Sequence, residues 1–204
     1  MSIAIVKYNA GNVHSVTSAL HRIGVEPLLT DSPEELRTAD KVIFPGVGEA
    51  RSAMTYLRER GLDKVIASLT QPVLGVCVGM QLLCEHSEEN DTVCMGVFPV
   101  RIRRFVEPTN EARNAHVVRF KIPHMGWNTL AQTHSPLFAN LPEQPYMYFV
   151  HSYCADVSPC TIATTDYIAP FSAGLHKDNF YAVQFHPEKS GSDGESIYRN
   201  FLAL

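Results

Sequence analysis

The sequence predicts an α/β fold: a mostly parallel, twisted central sheet with helices on both faces, plus additional antiparallel strands. Three observations predict it. Short β-branched runs alternate with helix-period segments through residues 3–76, an alternation that builds parallel sheets covered by helices. The strand candidates of this half are continuous apolar runs, which suits strands buried on both faces. From residue 100 onward, two runs instead alternate apolar and basic residues, the mark of strands with one wet face.

The elements follow in order. Residues 3–8 form a β-branched run that fits a buried first strand. The turn Asn9-Ala10-Gly11-Asn12 follows. Val13, Val16, Leu20 and Ile23 then recur at helical spacing, with Gly24 where a C-terminal cap belongs. Residues 26–29 read as a second strand. Ser32-Pro33-Glu34-Glu35 is a helix start: a capping serine, proline in the first turn and acids near the positive end of the dipole. Residues 41–44 are a third strand that runs into Pro45-Gly46-Val47-Gly48. Helical periods cover 50–60 and 62–69, and 72–76 is another buried strand. In the second half, 100–103 and 118–122 are the strands with a wet face, and the polar stretch 107–114 between them is a loop. Further strands are expected at 146–150, 161–165 and 180–185, and a closing helix at 194–204. No repeat, low-complexity segment or linker interrupts residues 1–204, which read as a single domain.

With 204 residues, the chain can bury one substantial core and is short for two. Apolar residues make up 45% and charged ones 19%, ordinary for a soluble globular protein. The net charge of −4 is not the basic balance of a nucleic-acid binder. The first apolar run is too short for a signal peptide and lacks a basic leader, and no run is long enough to span a membrane. The cysteines number 5, an odd count without an export signal, so free thiols in a reducing cytoplasm are expected. No Cys-x-x-Cys spacing occurs, and neither a metal nor a cofactor is expected.

Gly75-Val76-Cys77-Val78-Gly79-Met80-Gln81 is the most informative segment. A buried strand leads through Gly-x-Cys-x-Gly into a helix, the layout of a nucleophile elbow. Such an elbow stands its nucleophile at the tip of a sharp turn, and the glycines let the backbone make it. The free N–H groups of the new helix face the site. They favour a thiolate, the reactive form of cysteine, and offer the Val78 N–H to an oxyanion. From this segment alone, the alternative is a small buried hydrophobe at a strand end. Cys84, Cys94, Cys154 and Cys160 lack such a context and read as structural.

A thiol nucleophile needs a proton acceptor that later protonates the leaving group, and histidine suits both tasks. His186 ends the apolar strand 180–185, at the strand end where open α/β sheets place their ligands. In an extended segment Glu188 points the same way as His186. It can hold one imidazole nitrogen while the other faces Cys77. Pro45-Gly46-Val47-Gly48 lacks both the third glycine of a dinucleotide loop and the Gly-Lys-Ser/Thr of a phosphate loop. It reads as a glycine turn beside the elbow, either a second oxyanion donor or a plain tight turn.

Together, Pro45-Gly46-Val47-Gly48, Gly75-Val76-Cys77-Val78-Gly79-Met80-Gln81 and Gln184-Phe185-His186-Pro187-Glu188 resemble the class I (triad) glutamine amidotransferases. Tyr8-Asn9-Ala10-Gly11-Asn12, Pro123-His124-Met125-Gly126-Trp127-Asn128, Tyr148-Phe149-Val150-His151-Ser152-Tyr153 and Pro187-Glu188-Lys189-Ser190 are similar to one branch of it. That branch comprises the glutaminase subunits of imidazole glycerol phosphate synthase, from histidine biosynthesis. The resemblance covers essentially the whole chain and implies a flavodoxin-like sheet.

It also implies roles. Cys77 is then the nucleophile, His186 the acid and base, and Glu188 its orienter. Val47 and Val78 N–H groups form the oxyanion hole, Val47 after a peptide flip. Gly46, Gly48, Gly79, Gln81, Glu89, Ser152 and Tyr153 surround the substrate glutamine. Gly11, Asn12, Trp127, Tyr148 and Lys189 meet a (βα)₈-barrel cyclase subunit in a heterodimer. Ammonia released from a Cys77 glutamyl thioester passes to that partner, which makes imidazole glycerol phosphate and AICAR. The alternatives within hydrolases are the glutaminase of another class I amidotransferase and a γ-glutamyl hydrolase on the same scaffold. The basic stripe Arg101, Arg103, Arg104, Arg119 and Lys121 reads as the solvated face of two strands.

Overall fold

Four short apolar runs set the frame: β1 (Ile3–Val6), β2 (Leu28–Thr30), β3 (Lys41–Phe44) and β4 (Val73–Val76). Every residue of β1, β3 and β4 is buried. Successive strand side chains point to opposite faces, so both faces of the sheet are covered there. The computed structural model describes residues 1–9, 12–107 and 120–204. Its remaining strands are β5 (His86–Ser87), β6 (Thr92–Val93), β7 (Arg101–Arg104), β8 (His124–Thr129), β9 (Tyr146–His151), β10 (Tyr153–Ala155), β11 (Thr161–Asp166), β12 (Pro170–Lys177) and β13 (Phe180–Val183). The helices are α1 (Val13–Arg22), α2 (Pro33–Thr38), α3 (Ala50–Glu59), α4 (Leu62–Ala67), α5 (Val78–Leu83) and α6 (Gly191–Ala203).

The main sheet runs β2-β1-β3-β4-β13-β12-β10-β7-β5-β6, with β11 paired outside this path to β12. Its first five strands are parallel. The sheet turns antiparallel at β12. A separate antiparallel ribbon pairs β8 with β9, Trp127 opposite Tyr148. The predicted α/β layout therefore holds, with a parallel core and an antiparallel extension.

The helix signals act locally as expected. The Ser32 side chain accepts a hydrogen bond from the Glu35 N–H at the start of α2. Gly24 has φ +82°, the left-handed turn that ends α1. The second strand starts two residues late, at Leu28, and lies on the sheet edge with Leu28 and Leu29 exposed. The strand expected at 118–122 is not formed over 120–122. Residues 118 and 119 lie outside the described residues, as does most of the polar loop at 107–114 and Arg119 of the basic stripe. Arg101, Arg103 and Arg104 are exposed on β7, and Arg103 pairs with Asp156 at 2.6 Å. All five cysteines are free. Among the described residues, no helix is long and apolar enough to cross a membrane.

Five observed strands, β5, β6, β8, β10 and β12, match no strand expected from the sequence, and two of them carry residues that argue against one. β8 is interrupted by Gly126, and β12 opens on Pro170 and carries Gly174, residues that weaken strand propensity. Pairing makes them strands: β12 lies between β11 and β13, and β8 is held by β9.

Candidate active site

The elbow forms where β4 ends. Cys77 has φ +52° and ψ −109°, a region that side chains rarely occupy. The turn is therefore made by the cysteine itself, not by its glycines. The glycines instead permit close packing. A Cβ on Gly79 would lie 1.9 Å from the Phe44 carbonyl oxygen, and one on Gly75 would lie 2.8 Å from Leu83 Cδ1. The Cys77 N–H donates to Val183 O at 2.8 Å, pinning the elbow to β13.

That pairing also brings in the histidine. β13 runs parallel to β4 with Val183 beside Val76, so the residues that follow emerge at the same sheet end. His186 Nδ1 and Glu188 Oε1 are 2.7 Å apart and buried. A carboxylate only accepts, so Nδ1 carries the proton and Nε2 is left for the thiol. The geometric reason differs from the extended phasing read in the sequence. Pro187–Lys189 is a 3₁₀ turn, and Glu188 folds back within it. Glu188 is itself held: Asn12 Nδ2 donates to Oε1, and the Tyr198 hydroxyl donates to Oε2 at 3.4 Å. The His186 backbone is clamped from both sides. Its N–H donates to Tyr148 O at 2.9 Å, and its carbonyl accepts from the Ser190 hydroxyl at 2.6 Å. Burial pulls the His186 pKa down. The charge and hydrogen bond of Cys77, then those of Glu188, outweigh it and push the imidazole up to about 10. The site is thus arranged to hold a proton on the imidazole beside the sulfur.

The glycine turn at residues 45–48 interlocks with the elbow. A Cβ on Gly46 would lie 2.5 Å from Tyr8 Oη and 2.7 Å from Gly79 N, so only glycine fits. The buried Tyr8 hydroxyl donates to Pro45 O at 2.7 Å. The Val78 N–H, the expected oxyanion donor, donates to Gly46 O at 3.3 Å. A trans peptide points its C=O and N–H in opposite directions. With Gly46 O on Val78, the Val47 N–H points away from that donor. Gly48 has φ +106°, a conformation open to glycine alone.

A cavity of ≈ 330 Å³ opens in front of the sulfur. Val47, Gly48, Cys77, Val78, Gln81, Glu89, Ser152, Tyr153, His186 and Lys189 line it. Gly46 and Gly79, expected at the substrate, are not among the lining residues; Gly46 packs against Tyr8 and Val78, and Gly79 against Phe44. Glu89 is part-buried, and its Oε2 accepts from the Ala50 N–H at 2.7 Å. Burial raises its carboxyl more than that bond lowers it. Trp127 is half exposed on the β8–β9 ribbon, stacked on Tyr146 and edge-on to Tyr148. Lys189 Nζ lies 5.9 Å from the Tyr148 ring centre. Gly11 lies outside the described residues. Asn12, placed by the resemblance on the partner face, donates a hydrogen bond to Glu188.

Three lining residues had no role assigned: Pro123, Val150 and His151. His151 Nδ1 lies 2.8 Å from Tyr153 O, and its Nε2 lies 3.0 Å from His124 Nδ1. A carbonyl only accepts, so His151 donates through Nδ1 and accepts at Nε2 from His124. Burial pushes His124 down to about 4 and His151 down to about 3, a neutral pair. Their only sequence signal was membership in two motif segments. Among the described residues, no group of three His, Cys, Asp or Glu side chains is placed to hold a metal ion.

The family described as Glutamine amidotransferase class-I matches residues 4–204. The chain is 55% identical to the imidazole glycerol phosphate synthase subunit HisH of Bacteroides thetaiotaomicron, over 100% of both chains. It is 42% identical to the same-named subunit of Escherichia coli, again over 100% of both. Among solved structures, a glutamine amidotransferase superposes with a TM-score of 0.71 at 18% identity, covering 98% of this chain and 97% of that one. The PurLQS structure from Thermotoga maritima superposes with a TM-score of 0.66 at 16% identity, covering 99% and 97%.

Proposed function

The chain belongs to the class-I glutamine amidotransferase family, and from that premise we propose that Cys77, His186 and Glu188 are its catalytic triad. Its role is that of the glutaminase subunit of imidazole glycerol phosphate synthase, in histidine biosynthesis. It works in a complex with a cyclase subunit. The observation that carries the triad is the buried imidazole fixed between Glu188 at 2.7 Å and the thiol at the elbow tip.

The chemistry follows from that placement. The Cys77 thiolate attacks the side-chain amide carbon of glutamine. The proton on His186 goes to the departing nitrogen, ammonia leaves and a glutamyl thioester remains. His186, now neutral, takes a proton from water, which hydrolyses the thioester to glutamate. Glu188 stabilises the imidazolium and keeps its tautomer. Gln81, Glu89, Ser152 and Tyr153, with Gly48, shape the space for the substrate's amino-acid end.

Val78 and Val47 N–H groups complete the oxyanion hole when the Gly46–Val47 peptide turns over. In the observed state, Gly46 O occupies the Val78 donor. One such donor is worth ~3–4 kcal/mol of barrier, so the resting chain is a slow glutaminase and the partner switches it on. The partner is a (βα)₈ barrel in a heterodimer. It docks on the face of Trp127, Tyr148 and Lys189, near Gly11 and Asn12. Free ammonia in neutral water would become non-nucleophilic ammonium, so transfer must be direct. Residues 1–204 act as one glutaminase unit in the cytoplasm.

Glutamine labelled with ¹⁵N at the amide tests this reading. Label should reach imidazole glycerol phosphate only when the chain and a cyclase are both present. Glutamine hydrolysis that survives Cys77→Ala unchanged would overturn the triad.

A further inference from the structure

Gln184 is fully buried at the end of β13, one residue before Phe185. The three triad side chains leave it without a role. Its Nε2 lies 3.6 Å from Cys77 Sγ, and its Oε1 lies 3.0 Å from Gln81 Nε2. Gln81 Nε2 also lies 3.0 Å from Tyr153 O. Amide oxygen and nitrogen are alike in shape, so their assignment must come from the hydrogen-bond network. Here a backbone carbonyl decides it. Tyr153 O only accepts, so Gln81 must present its nitrogen there. The same nitrogen reaches Gln184, which must answer with its oxygen. Gln184 is then left with its NH₂ facing the sulfur. Tyr153 O also accepts from His151, so one carbonyl orients both the histidine pair and the amide chain.

The sulfur can be a thiol that donates or a thiolate that accepts. Val150 O, 3.9 Å from Sγ, can only take a thiol proton. Gln184 does the reverse: a donor N–H favours the charged acceptor. We infer that Gln184 is a fourth catalytic residue, whose side-chain N–H donates to the Cys77 thiolate and, with the His186 imidazolium, holds it charged and aimed at the substrate. The inference rests on Cys77 being the nucleophile. An amide has no proton to lose near neutral pH, so this donor does not switch off when His186 gives its proton away. It therefore also serves the step in which the thioester is cleaved and the thiolate re-forms as leaving group.

Other groups also face the sulfur and enter any titration of it. Tyr8 approaches from the end of β1, with its hydroxyl on Pro45. His186, backed by Glu188, approaches from the turn after β13. His151 lies on the β9 side, and Glu89 and Lys189 line the same cavity. All stay unchanged when Gln184 alone is replaced.

The test is the pH profile of Cys77 alkylation by iodoacetamide, read on the Cys77 peptide by mass spectrometry in the full-length chain. Gln184→Met keeps the bulk and removes the donor. Gln184→Glu keeps the shape, still accepts from Gln81 and places an acceptor at the sulfur. The alkylation midpoint should rise by about one pH unit in the first, a roughly ten-fold smaller thiolate fraction at neutral pH, and further in the second. A midpoint unmoved in either folded variant sinks the idea. If neither variant folds, the unmodified protein decides. The Gln184 side-chain amide protons, followed by ¹⁵N–¹H NMR, should shift as Cys77 titrates and lose that shift in Cys77→Ser. Amide protons indifferent to the Cys77 titration refute the donor. Failure of the parent reading is distinct, because Cys77→Ala would then still hydrolyse glutamine.

Discussion

Gly79→Ala should damage both fold and site, through one contact. The added Cβ would lie 1.9 Å from Phe44 O and 2.9 Å from the Phe44 carbonyl carbon. Both are backbone atoms of β3, flanked by β1 and β4, so neither can swing aside as a side-chain tip would. Relief requires α5 to lift off the end of β3 by more than an ångström. Overpacking of a buried site costs about 1–3 kcal/mol and more where backbone must move, and 3 kcal/mol or above is expected here. For a chain of this size, that lowers the melting temperature by about 6–12 °C. The lifted helix carries Val78 and Gln81 with it, so the donor geometry at the sulfur is lost as well. Gly61→Ala is the matched control. Gly61 has φ +66° but nothing within 4 Å of its Cβ, so only backbone strain applies, about 1 kcal/mol. Thermal unfolding by circular dichroism, with glutaminase assays on each variant, reads both effects. If Gly79→Ala melts no lower than Gly61→Ala, close packing is not why a glycine stands at that position.

Three further outcomes are expected. Glu188→Gln removes the charge that fixes the His186 tautomer, and kcat for glutamine should fall by about 10²–10⁴-fold; steady-state kinetics showing less than a ten-fold loss would remove Glu188 from the triad. Tyr8→Phe leaves Pro45 O without its 2.7 Å buried donor and should cost about 1–3 kcal/mol, read by urea titration against an unchanged m-value. Acid should weaken the fold through the neutral His124–His151 pair. Both imidazoles titrate near 6.5 when unfolded but at about 4 and about 3 in the fold. Their contribution is therefore fully present above the unfolded value and lost as pH falls through the folded ones. Between pH 7 and pH 5.5 the two together should cost about 2 kcal/mol, and a flat urea midpoint over that interval would contradict the buried neutral pair.

What the sequence determined by itself is what short stretches encode. Continuous apolar runs mark β1, β3, β4 and β13, because a strand buried on both faces has no polar positions. Ser32 and Gly24 mark helix ends through bonds and angles made within a few residues. The Gly-x-Cys-x-Gly spacing and the neighbouring His186 and Glu188 were legible for the same reason: each is a local pattern at a strand end. Only the tertiary structure decided how these pieces face one another. It made strands of β8 and β12 by pairing them. It folded Glu188 back in a 3₁₀ turn and set Asn12, 176 residues away, on its carboxylate. It turned Gly46 O onto the Val78 N–H, and it oriented Gln184 through Gln81 and Tyr153. A peptide plane or a side-chain amide has the same sequence in either orientation. Its direction is chosen by donors and acceptors that distant segments bring to it. A mostly parallel sheet covered by helices on both faces was therefore readable from residue patterns, whereas the polarity of the hydrogen bonds around Cys77 emerged only once the sheet had brought those segments together.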